Sequence, residues 1–476
     1  MMMHASRTLA LALVGIALLS LSACQTTAPQ ADPAQGIWFA KAGGSGDGTS
    51  EEAPTGSLAE ISTRSQPGDT IIILASEDAL DGAIVLKQGQ TLTGRDTDED
   101  EATSPVLTNT DRALNGGVAV QLASQTRVSR LVVEDASASA LLGIDVSMVE
   151  INEVVIISPN SSGAILDGIR GPLAQPITHG GVVFVSSASG EGATNNSVSE
   201  TVVTGARGAG LLLFAQTGAN ATLSVAETVI ADASDEVGIW DIGIGLIGSG
   251  ADTSGMLNIA ETVVNGQSTF NARGVIIFAD AGSSVSANIA ESVIMEAAQD
   301  GVIAVASGTG SSAQLAIAES VLSGAGQSNL EGTVINVPAS SEPDAIPTVR
   351  IAVADSILSR ARGSGPFEGA GNNILLTGSK LTPAPITAGI YELQISGSQL
   401  DEAQMYDIAV GGASANDPAA SSASRYNVSI EGTVMASRSG AVRVAAEGTQ
   451  IWGSDSCLEG SRETLPYVLS YSCGAE

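Results

Sequence analysis

The chain has 476 residues, 43% of them hydrophobic but only 3% aromatic, with 55 glycines and a formal net charge of −32. That much apolar content excludes a disordered acidic tail. With 51 acids against 19 bases, the surface lacks the basic stripe that nucleic acid needs, repels pectin-like polyanions and attracts cations.

The N-terminus opens on an apolar run, Thr8–Leu19, preceded by His4 and Arg7. About a dozen residues are too few to span a bilayer, and the arrangement is that of a secretory signal. Leu21-Ser-Ala-Cys24 follows at once and resembles the lipobox of bacterial lipoproteins. The resemblance implies that residues 1–23 are cut away and that Cys24 is acylated on its thiol and new amine. Gln25, in place of Asp, points by the Gram-negative family rule to the outer membrane, on its surface or periplasmic face. Several acyl chains anchor stably where one does not. Loss of Arg7 leaves a mature charge of 18 − 51 = −33. Residues 24–36, rich in Pro, Ala, Thr and Gln, read as a flexible tether.

Two cysteines then remain, Cys457 and Cys473, and in an oxidising compartment an even pair is expected to form a disulfide. They place a C-terminal cap at 457–476.

Between tether and cap one segment recurs: Val198-Ser-Glu-Thr-Val-Val203, Val225-Ala-Glu-Thr-Val-Ile230, Ile259-Ala-Glu-Thr-Val-Val264, Ile289-Ala-Glu-Ser-Val-Ile294, Ile317-Ala-Glu-Ser-Val-Leu322 and Val353-Ala-Asp-Ser-Ile-Leu358. Weaker copies begin at Ile151, Ile395 and Ile430. Each unit holds a second, glycine-led strand, such as Gly210-Leu-Leu-Leu-Phe-Ala215 or Gly274-Val-Ile-Ile-Phe-Ala279. Nothing between them is long and apolar enough to be a crossover helix. A period of about thirty residues built from short strands indicates a solenoid, because propeller blades need about forty and four strands. Residues 37–456 then make a parallel β-helix of about fourteen coils, with strands stacked about 4.8 Å apart.

Gly44-Ser-Gly-Asp-Gly-Thr-Ser50, the amphipathic stretch Leu58–Arg64, Pro67-Gly-Asp-Thr-Ile-Ile-Ile-Leu74 and Leu86-Lys-Gln-Gly-Gln-Thr-Leu-Thr-Gly94 resemble the opening of right-handed β-helix proteins of the pectin-lyase-like superfamily. The resemblance implies an all-β right-handed parallel β-helix with a short N-terminal capping helix. It implies no activity, since that superfamily holds lyases, hydrolases, isomerases, adhesins and inert stalks.

Glu200, Glu227, Glu261, Glu291, Glu319 and Asp355 share one repeat position. Carboxylates in file about 4.8 Å apart repel by roughly 1 kcal/mol per pair in water and about 3–4 kcal/mol at an effective dielectric near 20. A bend that turns each acid outward is therefore expected. The position matches the asparagine of related surface coils, whose amide ladder is lost here. Two readings stay open, a Ca²⁺ array and a solvated corner; the second is favoured, and the repeat does not match the Gly-Gly-x-Gly-x-Asp nonapeptide of calcium-loaded β-rolls.

Other chemistry is sparse. His179 is the only histidine left after processing, and beside Gly180-Gly181 it reads as a turn residue. Asn109-Thr110-Asp111 matches one polygalacturonase-like motif, but the companion motifs are absent. Arg207 and Arg273, near Glu200 and Glu261, are the best acid-plus-arginine grouping. The glycine-led strands are apolar on both faces, Leu211 and Leu213 against Leu212 and Phe214, so the outer face needs cover from a terminal segment or a partner copy. Variable loops, such as 338–347 and 411–424, gather after the glycine-led strand, where solenoids often bind. The expectation is a lipid-anchored, non-catalytic structural or binding protein, adhesin-like or envelope-organising, with a glycan or protein ligand. The alternative is a polysaccharide-active enzyme, a lyase or glycoside hydrolase, betrayed by a groove on the parallel face where acids and an arginine converge.

Overall fold

The computed structural model describes residues 36–459 except 96–103, 171–175, 188–192, 234–241, 267–272, 327–334, 338–345, 363–370, 377–388, 405, 411–424, 437–439, 445–449 and 455–456. Thirteen parallel pairings join fourteen strands in one register, from Ile37–Ala40 to Gln450–Ser454. With the short strands that follow many of them, these form a 25-stranded sheet, and the glycine-led strands form a second, 12-stranded parallel sheet. The fold is a right-handed parallel β-helix, the hand that parallel crossovers favour.

Three local sequences start it. Ser57 caps the helix Leu58–Arg64 through its Oγ, which accepts from Glu60 N at 3.2 Å, and Leu58 and Ile61 are buried beneath. Pro67-Gly-Asp-Thr turns the chain into the strand Thr70–Leu74. Asp69 ties the first strand down by accepting from Gly36 N, Trp38 Nε1 and Gln66 N at 2.7–2.8 Å. Burial raises the pKa of this carboxyl, but those three donors outweigh it and hold it below its ordinary 3.8.

Inside the coils, alternation sets the core. In Asn220–Ala226, Ser254–Ala260, Ser284–Ala290 and Ser312–Ala318 every second residue is buried, and the others face out. The 12-stranded sheet differs, since Ala209–Ala215 is buried at every position. Leu211, Leu213, Val275 and Ile277 join the interior core. Leu212, Phe214, Ile276 and Phe278 join a second apolar cluster on the outer face. Cover over its N-terminal part comes from this chain: an antiparallel hairpin, Ile165–Arg170 with Pro176–Thr178, adds Leu166 and Ile177 to the cluster. Burying each such side chain contributes about 1.5–3 kcal/mol.

Length variation is not confined to one corner. The connection preceding the glycine-led strand also varies, from Thr204 to Ala209 in one coil and from Ser323 to Ile335 in another. Cys457–Glu459 still pairs in the long sheet, with Val434–Ala436. Cys24, Cys473, the signal and the tether up to residue 35 lie outside the described residues, as do the loops at 411–424 and most of 338–347.

Candidate functional site

The acid position is a bend. Glu200, Glu227, Glu261, Glu291, Glu319 and Asp355 all have φ of 47–49°, a left-handed conformation that costs an L-residue about 1–2 kcal/mol. Downstream the same position is glycine, at Gly397 and Gly432. A straight strand would bury these carboxylates with Val225 or Ile259, whereas the bend leaves all six exposed. Among the described residues no group of three or more His, Cys, Asp or Glu side chains is arranged to hold a metal ion.

The bend leaves the next backbone N–H inside the wall, and the following hydroxyl satisfies it. Ser292, Ser320, Ser356 and Ser398 are each buried, and each Oγ accepts from the residue of the preceding coil, Thr262, Ser292, Ser320 and Ser356, at 3.1–3.2 Å. Each hydroxyl proton goes back two residues, as from Ser320 to Ala318 O at 2.7 Å. In place of an amide ladder at the acid position, serine hydroxyls build one at the next residue.

Two more members stand upstream in the same file. Glu153 and Arg130, with φ of 54° and 52°, fall at the bend in the strands Glu150–Ile157 and Arg127–Glu134. The arginine escapes the acidic consensus, although Val128-Ser-Arg-Leu-Val-Val133 keeps its apolar frame. Here the outer face of the long sheet is hollowed by two adjoining depressions of about 370 and 420 Å³, which share Arg130 and Glu153. Thr93, Gly94 and Arg95 line one, and Arg127, Glu150, Asn152 and Ser199 the other.

The charges in this groove are not equivalent. Arg95 pairs with Glu51 at 2.7 Å, and Arg127 pairs with Glu150. Arg130 forms no ion pair among the described residues, and its Nη2 reaches only Thr93 Oγ1, at 3.4 Å. A Cβ on Gly94 would lie 1.7 Å from the carbonyl oxygen of Arg130, so only glycine lets the two coils close at this point. The result is an exposed guanidinium whose fork makes no ion pair among the described residues, beside the exposed carboxylate of Glu153 on the adjacent coil. Such a fork matches a carboxylate in two-point geometry.

The groupings anticipated from sequence sit elsewhere. Arg207 Nη1 donates to Ser161 O at 3.0 Å, and Arg273 opens a strand of the other sheet. Neither Glu200 nor Glu261 is ion-paired among the described residues; Glu200 Oε1 accepts from Asn152 Nδ2 at 3.3 Å. Asn109 is buried and donates to Leu114 O and Val118 O, Thr110 binds Asp81, and Asp111 accepts from Ala113 N. That tripeptide braces a turn. His179 is buried with Ser139, whose Oγ lies 2.8 Å from Nδ1 and whose N–H donates to the same nitrogen at 3.3 Å. Burial, with the Arg112 charge, lowers its pKa to about 4 against an opposing pull from Asp167. Ser139 is fully buried, so the pair has no access to a substrate.

No family model and no curated protein matches the sequence. Among solved structures, the chain is similar to a mannuronic-acid-specific family 6 polysaccharide lyase from human gut microbiota, with 11% identity, a TM-score of 0.42, and 88% of this chain and 87% of that one covered. It is similar also to the A-module of a mannuronan C-5 epimerase of Azotobacter vinelandii, at 13% identity and a TM-score of 0.42 over 82% of this chain and 90% of that one. A pectate lyase gives 10% identity and a TM-score of 0.29 over 87% and 78%. At these values no residue role passes from those proteins to this chain.

Proposed function

We propose that this chain is a polysaccharide-active β-helix, a lyase, that takes a carboxylated sugar in the groove around Arg130 and Glu153. The observation that supports this reading is a guanidinium with no ion pair among the described residues, beside a carboxylate on the parallel face, the convergence that distinguishes the enzyme alternative from an inert stalk. Net charge does not by itself oppose it, because at physiological salt the screening length is about 8 Å, and with Arg95 and Arg127 paired to Glu51 and Glu150 the local charges that meet a ligand are those of Arg130 and Glu153.

The reaction class that suits these groups is β-elimination. Arg130 would bind the sugar carboxylate and stabilise the negative charge that develops there. Glu153 would take the proton from the adjacent carbon. The electron pair left behind forms a C=C bond, the glycosidic C–O bond breaks, and water protonates the leaving oxygen. Among the described residues no group of carboxylates is arranged to hold Ca²⁺, and the step is written with Arg130 and Glu153 alone. The N-terminal lipid on Cys24 would hold this activity at the outer membrane.

The test is turnover of a panel of carboxylated polysaccharides, read as ultraviolet absorbance of the unsaturated sugar formed. Arg130→Ala should lower kcat/KM by about 10²–10³-fold, in line with loss of one charge-stabilising donor. Unchanged turnover in that variant overturns the assignment. Binding without cleavage of any polymer would return the chain to the non-catalytic reading.

A further inference from the structure

The outer face of the long sheet carries another depression farther along the coils, of about 240 Å³. Ala316 and Ala352 floor it, and the amides of Asn288, Gln314 and Gln394 stand around it. Arg350 and Glu392 also line it, but as an ion pair, Nε to Oε2 at 2.6 Å. The depression therefore offers hydrogen bonds and no net charge. Five parallel steps lead from Glu150 in the first groove through Ser197, Ser224, Asn258 and Asn288 to Ala316 in this one, a span of about 24 Å.

The path between them is open. Ser197, Ser224 and Asn258 form one file and Ser199, Ala226 and Ala260 the next, so no long side chain rises from either. Met256, 41% exposed, offers an apolar contact at the edge. The opposite edge is the acidic column, each carboxylate one residue beyond the second file. Its charges border the second file, close enough for a screening length of about 8 Å to leave their repulsion felt there. A polymer charged at every sugar would be repelled along the track, whereas a neutral, hydroxyl-rich stretch would meet amide donors and acceptors.

Granted that the first groove holds a carboxylated sugar, we infer that the ligand is a heteropolysaccharide whose carboxylated sugar is flanked by a neutral stretch reaching the second depression. A homopolymer of uronic acid is the wrong substrate class for this surface. Two linked sites gain affinity for a chain that spans both.

Calorimetric titration of the full-length protein with glucuronoxylan and with polygalacturonate tests this. Glucuronoxylan should bind at least about tenfold tighter at low salt, with the gap narrowing as salt rises. The double variant Asn288→Ala/Gln314→Ala removes two exposed amides and should weaken glucuronoxylan about tenfold, the loss of roughly two hydrogen bonds. It should leave a short acidic oligosaccharide unaffected. Tighter polygalacturonate binding at low salt, absence of glucuronoxylan binding, or an unchanged double variant overturns the inference and leaves the first groove standing. Indifference of every ligand to Arg130→Ala overturns the reading of the first groove instead.

Discussion

His179 is neutral in the folded chain because it lies buried, with Arg112 nearby and Ser139 donating to Nδ1. Its pKa of about 4, against an ordinary 6.5, means that the unfolded chain binds the extra proton first. Its contribution is complete above pH 6.5 and is lost as pH falls toward 4, at most about 3 kcal/mol at 1.36 kcal/mol per unit. Urea denaturation at stepped pH should show stability falling across that window, and His179→Gln should flatten the fall. An identical slope in the variant would remove His179 as its source. Asp69 acts lower down: with its pKa held below 3.8, its stabilisation is present above that value and drains only as pH drops through the lowered one. At this scale the sequence was partly silent. His179 could be read as structural from its isolation, but Arg130 could not be found by looking for acids.

The recurring hexapeptide was legible as an element, and so was the outward turn of its acid, since stacked buried carboxylates repel too strongly. What hid was the following hydroxyl, because Thr and Ser in a strand read as ordinary polar positions. Its role is visible only when the coils are stacked. Ser320 Oγ accepts from Ser292 N at 3.1 Å and donates to Ala318 O at 2.7 Å. Ser320→Ala should strand the buried Ser292 N–H and cost about 1–3 kcal/mol, with faster exchange of that amide, while Ser320→Thr should restore both. An alanine variant as stable as the parent would mean that the ladder carries no energy. The hairpin Ile165–Thr178 escaped for a different reason: Ile165, Leu166, Ile169 and Ile177 lie where the repeat is interrupted, and periodicity has nothing to say about an interruption.

For the whole molecule, period and glycine placement were enough to read a β-helix of fourteen levels, because a solenoid repeats its solution at every coil. The site was not, because it lies where the repeat deviates. The lipid anchor is a separate question at this scale. Cys24→Ser should leave the protein unprocessed or released to the periplasm, and equal palmitate labelling of the variant and the parent would exclude lipidation at Cys24.

Ala226 and Ala260 occupy the same register position on neighbouring coils. Excising residues 227–260 would join Ala226 to Glu261 and regenerate Val-Ala-Glu-Thr-Val at the seam, with every remaining strand still in register. The two depressions would then draw together by one strand spacing, about 4.8 Å. Duplication of the same unit would part them by as much. The interval between them behaves as a ruler graduated in whole coils, so recombination between repeats could retune ligand length in discrete steps while both ends of the grip stay intact.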